Sequence, residues 1–305
     1  MGLMIEVVLS SPRGFCAGVV RAIDVVRLSL ERYGSPVYVR KEIVHNPHVV
    51  GELIDQGAIF VDELVDVPPK STVIFSAHGV SPEVRQQSKE RQLNVIDATC
   101  PLVTKVHLEA IKYAREGYSI LLVGHKGHEE VDGTMGEAPD VTILIENTTS
   151  ARNVEVRDPG KVVVLTQTTL SVRDTLDILD VLRERFPKMV NRNDICYATS
   201  NRQAAVKEIA SEVELILVIG AENSSNCNRL REVAEAEGVT AYLVNGPDQV
   251  KEEWFEGITK IGVTSGASTP EWVVDRVVES LNPSKIRNVE LIEENVSFVL
   301  PKELR

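Results

Sequence analysis

The chain has 305 residues and a formal net charge of −12, long enough for two or three domains with a substantial core. That charge argues against a nucleic-acid-binding surface or an anchor on anionic membrane, and no apolar run approaches the roughly 18 to 20 residues of a membrane helix. Aromatics make up only 5% of the residues, and aliphatics outnumber them as expected where Val/Ile/Leu strands alternate with helices.

Residues 4–9 read as a strand. Glu6 lies inside this first apolar stretch and no basic segment precedes it, which is the pattern of a strand and not of a signal peptide. A turn carrying Cys16 follows, then a helix over 17–33 stopped by Gly34. A short strand at 37–40 leads to the His45-Asn46-Pro47-His48 loop and a helix to Gln56. The strand 72–75 ends in Ser76-Ala77-His78-Gly79, with Pro82 at the start of another helix.

The order then repeats twice. After Cys100 a helix runs to 116, with Pro101 at the first helical position and Cys100 as the cap. The strand 119–123 leads into the loop 124–133, which carries His125, His128, Glu129 and Glu130. The strand 162–165 leads into Thr166-Gln167-Thr168-Thr169-Leu170-Ser171 and a helix to 185. After Cys196 a helix runs to 211, and the strand 215–219 leads into a loop with Ser224, Ser225, Asn226 and Cys227. The strand 261–263 leads into a loop with Ser268 and a helix to 281. The last stretch, 288–305, has strand character and is placed to return to an earlier unit.

Three similar α/β units are therefore expected: 1–97, 98–193 and 194–285, with 286–305 returning to the first. The cysteines are 84 and 96 residues apart, and each sits at a strand-to-helix turn with a basic residue one to two helical turns further on. Such turns lie at the carboxyl edge of parallel sheets, where ligands bind, and three repeats suggest a threefold arrangement around a shared cavity. The start of a helix favours a thiolate through its unpaired N–H groups and its dipole. Three thiolates with a soft metal fit either a zinc Cys₃His site or an iron–sulfur cluster with one iron lacking a Cys ligand. Widely spaced Cys without an export signal point to reduced thiols in the cytoplasm.

The remaining turns supply His45, His78, His128, Thr168, Ser224, Ser225, Asn226 and Ser268. This set of donors carries little fixed charge and suits a phosphate or diphosphate. Glu130 is the carboxylate best placed to move protons, although spacing alone does not separate it from Glu129. His45/His48 and His125/His128 are each three apart, but Pro47 and Gly127 make ligation from one helix face a poor fit. The absence of Walker A, Gly-x-Gly-x-x-Gly and Asp-Asp-x-x-Asp patterns weakens nucleotide, nicotinamide and magnesium-diphosphate readings. A zinc-dependent phosphate-ester hydrolase and a non-catalytic binding module are the rival classes.

Arg13-Gly14-Phe15-Cys16-Ala17-Gly18-Val19, Asp97-Ala98-Thr99-Cys100-Pro101, Gly127-His128-Glu129-Glu130, Thr166 to Ser171 and Asp194 to Thr199 occur in the order, and across the whole length, that resembles the LytB-type 4-hydroxy-3-methylbut-2-enyl diphosphate reductase family. The resemblance implies a cloverleaf of three α/β domains around a [4Fe–4S] cluster, one per chain. Cys16, Cys100 and Cys196 would hold it and leave one iron open. It implies diphosphate binding by His45, His78, His128, Ser224, Ser225, Asn226 and Ser268, and catalysis by Glu130, Thr168 and His128. The implied reaction is a two-electron, two-proton reductive dehydroxylation giving isopentenyl and dimethylallyl diphosphate, the last step of the non-mevalonate pathway. Ferredoxin or flavodoxin would be the electron donor. Cys227 departs from the family, where Ser is common, and is expected to be a free thiol and not a fourth ligand.

Overall fold

The strand Leu215–Ile219 shows why the sheets form. Leu215, Leu217 and Ile219 pack into one apolar cluster and Ile216 and Val218 into another, so both faces of the strand are covered, as in parallel sheets flanked by helices. The computed structural model describes residues 5–305, and Met4, the expected start of the first strand, lies outside them. The strand observed there is Glu6–Ser11.

Three wholly parallel sheets are present among the described residues. Two belong to a compact unit made of Val20–Val44, Val50–Cys196 and Phe298–Arg305. One of these sheets runs in the order Ala58–Val61, Val37–Arg40, Thr72–Phe75, Asn94–Asp97. The other runs Thr142–Ile145, Ser119–Val123, Val162–Thr166, Val190–Asn191. In the latter, Leu121, Val123, Val162 and Val164 face one cluster, while Ile120, Leu122, Val163 and Leu165 face the other. Each such side chain contributes roughly 1.5–3 kcal/mol by leaving water.

The second unit comprises the chain up to Val19, His45–Val49 and Tyr197–Ser297. Its five strands run Thr240–Val244, Leu215–Ile219, Lys260–Ser265, Glu6–Ser11, Lys285–Glu290. The first strand of the chain thus pairs with the last two, Val7 with Ile261 and with Ile286, and has no partner in the sheet of residues 37–97. The strand character expected to continue past 288 ends at Glu290. Beyond it the chain has no further strand: Leu291 N–H donates to Ser11 O, Glu294 accepts from Asn201 and Arg202 in the same unit, and Lys302–Leu304 forms a single 3-10 turn.

The helices after the three cysteines are Ala17–Tyr33, Pro101–Arg115 and Tyr197–Ala210. Cys100 is the N-cap ahead of Pro101 and its side chain makes no capping hydrogen bond, so the thiol is not used to close the helix.

Candidate active site

The three Cys turns share one backbone device. The N–H of Cys16 donates to Ala267 O (3.2 Å), that of Cys100 to Ala77 O (2.9 Å) and that of Cys196 to Thr168 O (3.0 Å). Each acceptor lies two residues beyond the end of a strand: Lys260–Ser265, Thr72–Phe75 and Val162–Thr166. Every Cys turn is therefore pinned to the late turn of the sheet beside it, and those late turns carry Ser268, His78 and Thr168. All three cysteines are partly exposed and none of the four is in a disulfide. Among the described residues, no group of three or more His, Cys, Asp or Glu side chains forms a metal-holding set.

In the unit with two sheets, Glu130 is 2% exposed. Its Oε1 accepts the Thr168 N–H (2.6 Å) and its Oε2 the Thr168 hydroxyl (3.0 Å). Burial pushes its pKa up to about 7, against the pull of the two Thr168 hydrogen bonds and with a small further push from the Asp194 carboxylate. His128 caps the helix Glu129–Glu137, its Nδ1 accepting the Glu130 N–H. The rings of His78 and His128 meet edge to face with centroids 5.8 Å apart. His78 Nδ1 pairs with Glu129 Oε2 at 3.1 Å. Glu129 and Glu130 are thus different groups: one is an ion-pair partner of His78, the other a buried acid on Thr168.

Close packing holds this arrangement. A Cβ on Gly124 would sit 2.6 Å from Val131, so only glycine lets the helix bearing Glu130 close on the strand Ser119–Val123. His107 is buried, bonded to Glu137 (2.8 Å), and fills the space between Gly79 and Gly133, where a Cβ on either would come within 3.2 Å of its ring. Sequence reasoning missed His107 and Glu129. His107 looks like an ordinary helix residue until the two glycines it packs on are seen, and adjacency to Glu130 hid the separate role of Glu129.

In the unit with the five-stranded sheet, the groups are hydroxyls, amides and the imidazoles of His45 and His48. Ser268 donates to His45 O (3.0 Å), and the Asn223 amide lies 3.5 Å from His45 Nδ1. Ser224 caps the helix Ser225–Ala236, which leaves the Ser225 and Asn226 N–H groups in its first turn. Asn226 is buried, and neither its amide nitrogen nor its amide oxygen has a hydrogen-bond partner. An unpartnered amide beside first-turn N–H groups offers the kind of donors that anions take. His48 turns instead to Asn245 O (2.7 Å) and to an edge contact with Trp272. Cys227 is fully buried in the core, its thiol pushed up to about 11 by burial. Its sulfur occupies the room that a Cβ on Gly220 or Gly266 would need, 2.3 and 2.2 Å away. It packs as an apolar side chain.

The family model described as LytB protein matches residues 7–282. The chain belongs to the LytB protein family. The 4-hydroxy-3-methylbut-2-enyl diphosphate reductase of Ralstonia nicotianae is 52% identical over 305 residues, covering 98% of this chain and 94% of that one. The protein of the same name from Streptomyces coelicolor is 52% identical over 306 residues, covering 98% and 90%. Among solved structures, the E-1-hydroxy-2-methyl-but-2-enyl-4-diphosphate reductase of Plasmodium falciparum matches with a TM-score of 0.95 and 38% identity over 100% of this chain and 97% of that one. The expected α/β class with parallel sheets holds for this LytB chain.

Proposed function

We propose that this LytB chain is a 4-hydroxy-3-methylbut-2-enyl diphosphate reductase: it removes the allylic hydroxyl of its substrate as water, using two electrons and two protons, and yields isopentenyl and dimethylallyl diphosphate. The observation that carries the reading is Thr168. Its N–H and hydroxyl hold the buried acid Glu130 while its carbonyl accepts the N–H of Cys196. One residue thereby joins a proton store to a thiol turn.

The donor set suits an iron–sulfur centre: three partly exposed thiols at helix starts, each with its main chain pinned, beside a fourth thiol lost in the core. Cys16, Cys100 and Cys196 would hold a [4Fe–4S] cluster, one per chain, which three thiolates would leave with one iron lacking a Cys ligand. When bound, that cluster supplies the electrons and a Lewis-acid iron for the departing oxygen. Everything else falls to the side chains. His45, Ser224, Ser225, Asn226 and Ser268, with His78 and His128, bind the diphosphate. The Glu129 carboxylate holds the His78 ring in place through Nδ1 at 3.1 Å. Glu130 holds a proton near neutral pH and delivers it to the leaving hydroxyl, with Thr168 orienting the carboxyl. The chain carries no nicotinamide or flavin fingerprint, so electrons come from a separate carrier such as ferredoxin or flavodoxin. No described helix is long and apolar enough to cross a membrane; the cytoplasm is the proposed compartment because its reducing conditions keep the widely spaced cysteines as thiols.

The test is anaerobic turnover with a chemical reductant, comparing iron-reconstituted protein, iron-stripped protein and reconstituted Glu130→Gln. Both C₅ diphosphates are expected from the first, none from the second, and about 10²-fold less or lower from the third. Equal turnover by the stripped protein, or none by the reconstituted one, overturns the proposal.

A further inference from the structure

Five, five and six residues after Cys16, Cys100 and Cys196 stand Arg21, Lys105 and Arg202. A long side chain at that depth of a helix points back over its first turn toward the preceding loop, so each could be expected near its own cysteine's turn. Each reaches a different one. Arg21 Nη1 donates to Ala98 O and Thr99 O, both at 3.0 Å, ahead of Cys100. Lys105 Nζ donates to Asp194 Oδ1 at 3.0 Å, two residues ahead of Cys196. Arg202 Nη2 donates to Gly14 O at 2.8 Å, two residues ahead of Cys16.

We propose that Arg21, Lys105 and Arg202 are positioning residues for the cluster ligands, each fastening the turn that carries the next cysteine in the order Cys16 to Cys100, Cys100 to Cys196, Cys196 to Cys16. The inference rests on the reading that these thiols hold iron. The anchors are built for the task. Asp194 is 1% exposed at its side chain and accepts from the Thr166 N–H as well, so its second oxygen ties the Cys196 turn to the adjoining strand. Gly14 has φ +68°, a left-handed conformation that presents its carbonyl to Arg202 and that a larger residue resists. Arg202 is itself fully buried, braced by Ala198 O and the Glu294 carboxylate. Partners behind metal ligands govern how firmly a centre is held. Positive charge near the sulfurs raises the potential at which a cluster accepts an electron.

The test uses the full-length protein reconstituted anaerobically with iron and sulfide, reading iron per chain, rate of iron loss to a chelator, and reduction potential. Lys105 is 46% exposed at its side chain, so it is the site to vary. Lys105→Met is expected to lose iron about tenfold faster than the parent and to shift to a lower potential, and Lys105→Arg to restore both. The double variant Lys105→Met/Asp194→Asn removes the pair without leaving a lone buried carboxylate, and is expected to lose iron as fast as Lys105→Met. Parental iron retention and potential in Lys105→Met overturn the proposal. Parental behaviour of the double variant does so too, since the single defect is then only an unpaired charge. A parent that takes up no iron removes the underlying reading, and the proposal with it.

Discussion

The turns of the five-stranded sheet and those of the two four-stranded sheets offer opposite chemistry on the same scaffold. The first set is neutral: hydroxyls, an orphaned amide and the first turn of a helix, around Ser224, Asn226 and Ser268. The second set titrates: Glu130 sits buried on Thr168, and His78 pairs with Glu129. Neutral donors hold an anion whatever the pH, whereas a proton must be released, so the proton store needs a carboxyl whose charged form is disfavoured. On the proposed reading, similar parallel sheet edges serve binding in one place and acid catalysis in another; Asn226 and Glu130 are both buried, and side-chain type decides which.

The division breaks most sharply at Glu130. Glu130→Gln keeps the shape but holds no transferable proton, and turnover with a chemical reductant is expected to fall about 10²-fold or more, with substrate affinity little changed. On the proposed role the protonated carboxyl delivers the proton, so activity is expected to fall as pH rises through about 7. Stability follows the same group. Its folded pKa stands above the ordinary 4.5, so between these values the folded chain retains a proton that the unfolded one has released. The stabilising contribution is full below about 4.5 and lost as pH rises to about 7. Melting curves of Glu130→Gln are therefore expected to lose that part of the pH dependence.

Asn226→Ala tests the neutral side. Loss of hydrogen bonds to a charged ligand, roughly 1.5–3 kcal/mol each, is expected to raise KM for the diphosphate by about tenfold or more, with kcat less affected. A smaller effect falls to Thr168→Val, which removes the hydroxyl that favours the charged carboxylate. The Glu130 pKa then rises further, and the falling limb of the pH profile is expected to move up by about one unit. Smallest is Cys227→Ser. Iron content and most activity are expected to persist, with stability lowered by about 1–3 kcal/mol because a hydroxyl replaces a thiol in the core. Calorimetry and iron analysis check both parts.

What the residues announced locally, the fold delivers. The doubly covered strand Leu215–Ile219, the Cys100–Pro101 helix start and the break at Gly34 were legible because their causes lie within a few residues. The short edge strands Ala58–Val61, Thr142–Ile145 and Thr240–Val244 were not, since a half-covered strand of four or five residues has little pattern to show. The pairing of Glu6–Ser11 with Lys260–Ser265 and Lys285–Glu290 leaves no local trace at all. At the site, residue types pointed to an anion and an acid. Only packing separates Glu129 from Glu130, reveals Asn226 as orphaned and sets Cys227 against Gly220 and Gly266.

That early-to-late pairing has a consequence during synthesis. The segment Glu6–Ser11 leaves the ribosome first, yet both strands that flank it, Lys260–Ser265 and Lys285–Glu290, emerge near the end. At about 5–20 residues per second, it waits on the order of tens of seconds without its sheet partners, Val7, Val8 and Leu9 uncovered. The Cys16 turn waits with it, because its backbone acceptor Ala267 does not yet exist. On the proposed ligand set, iron is expected to enter only after residue 267 has been made, since the Cys16 turn lacks its backbone acceptor until then.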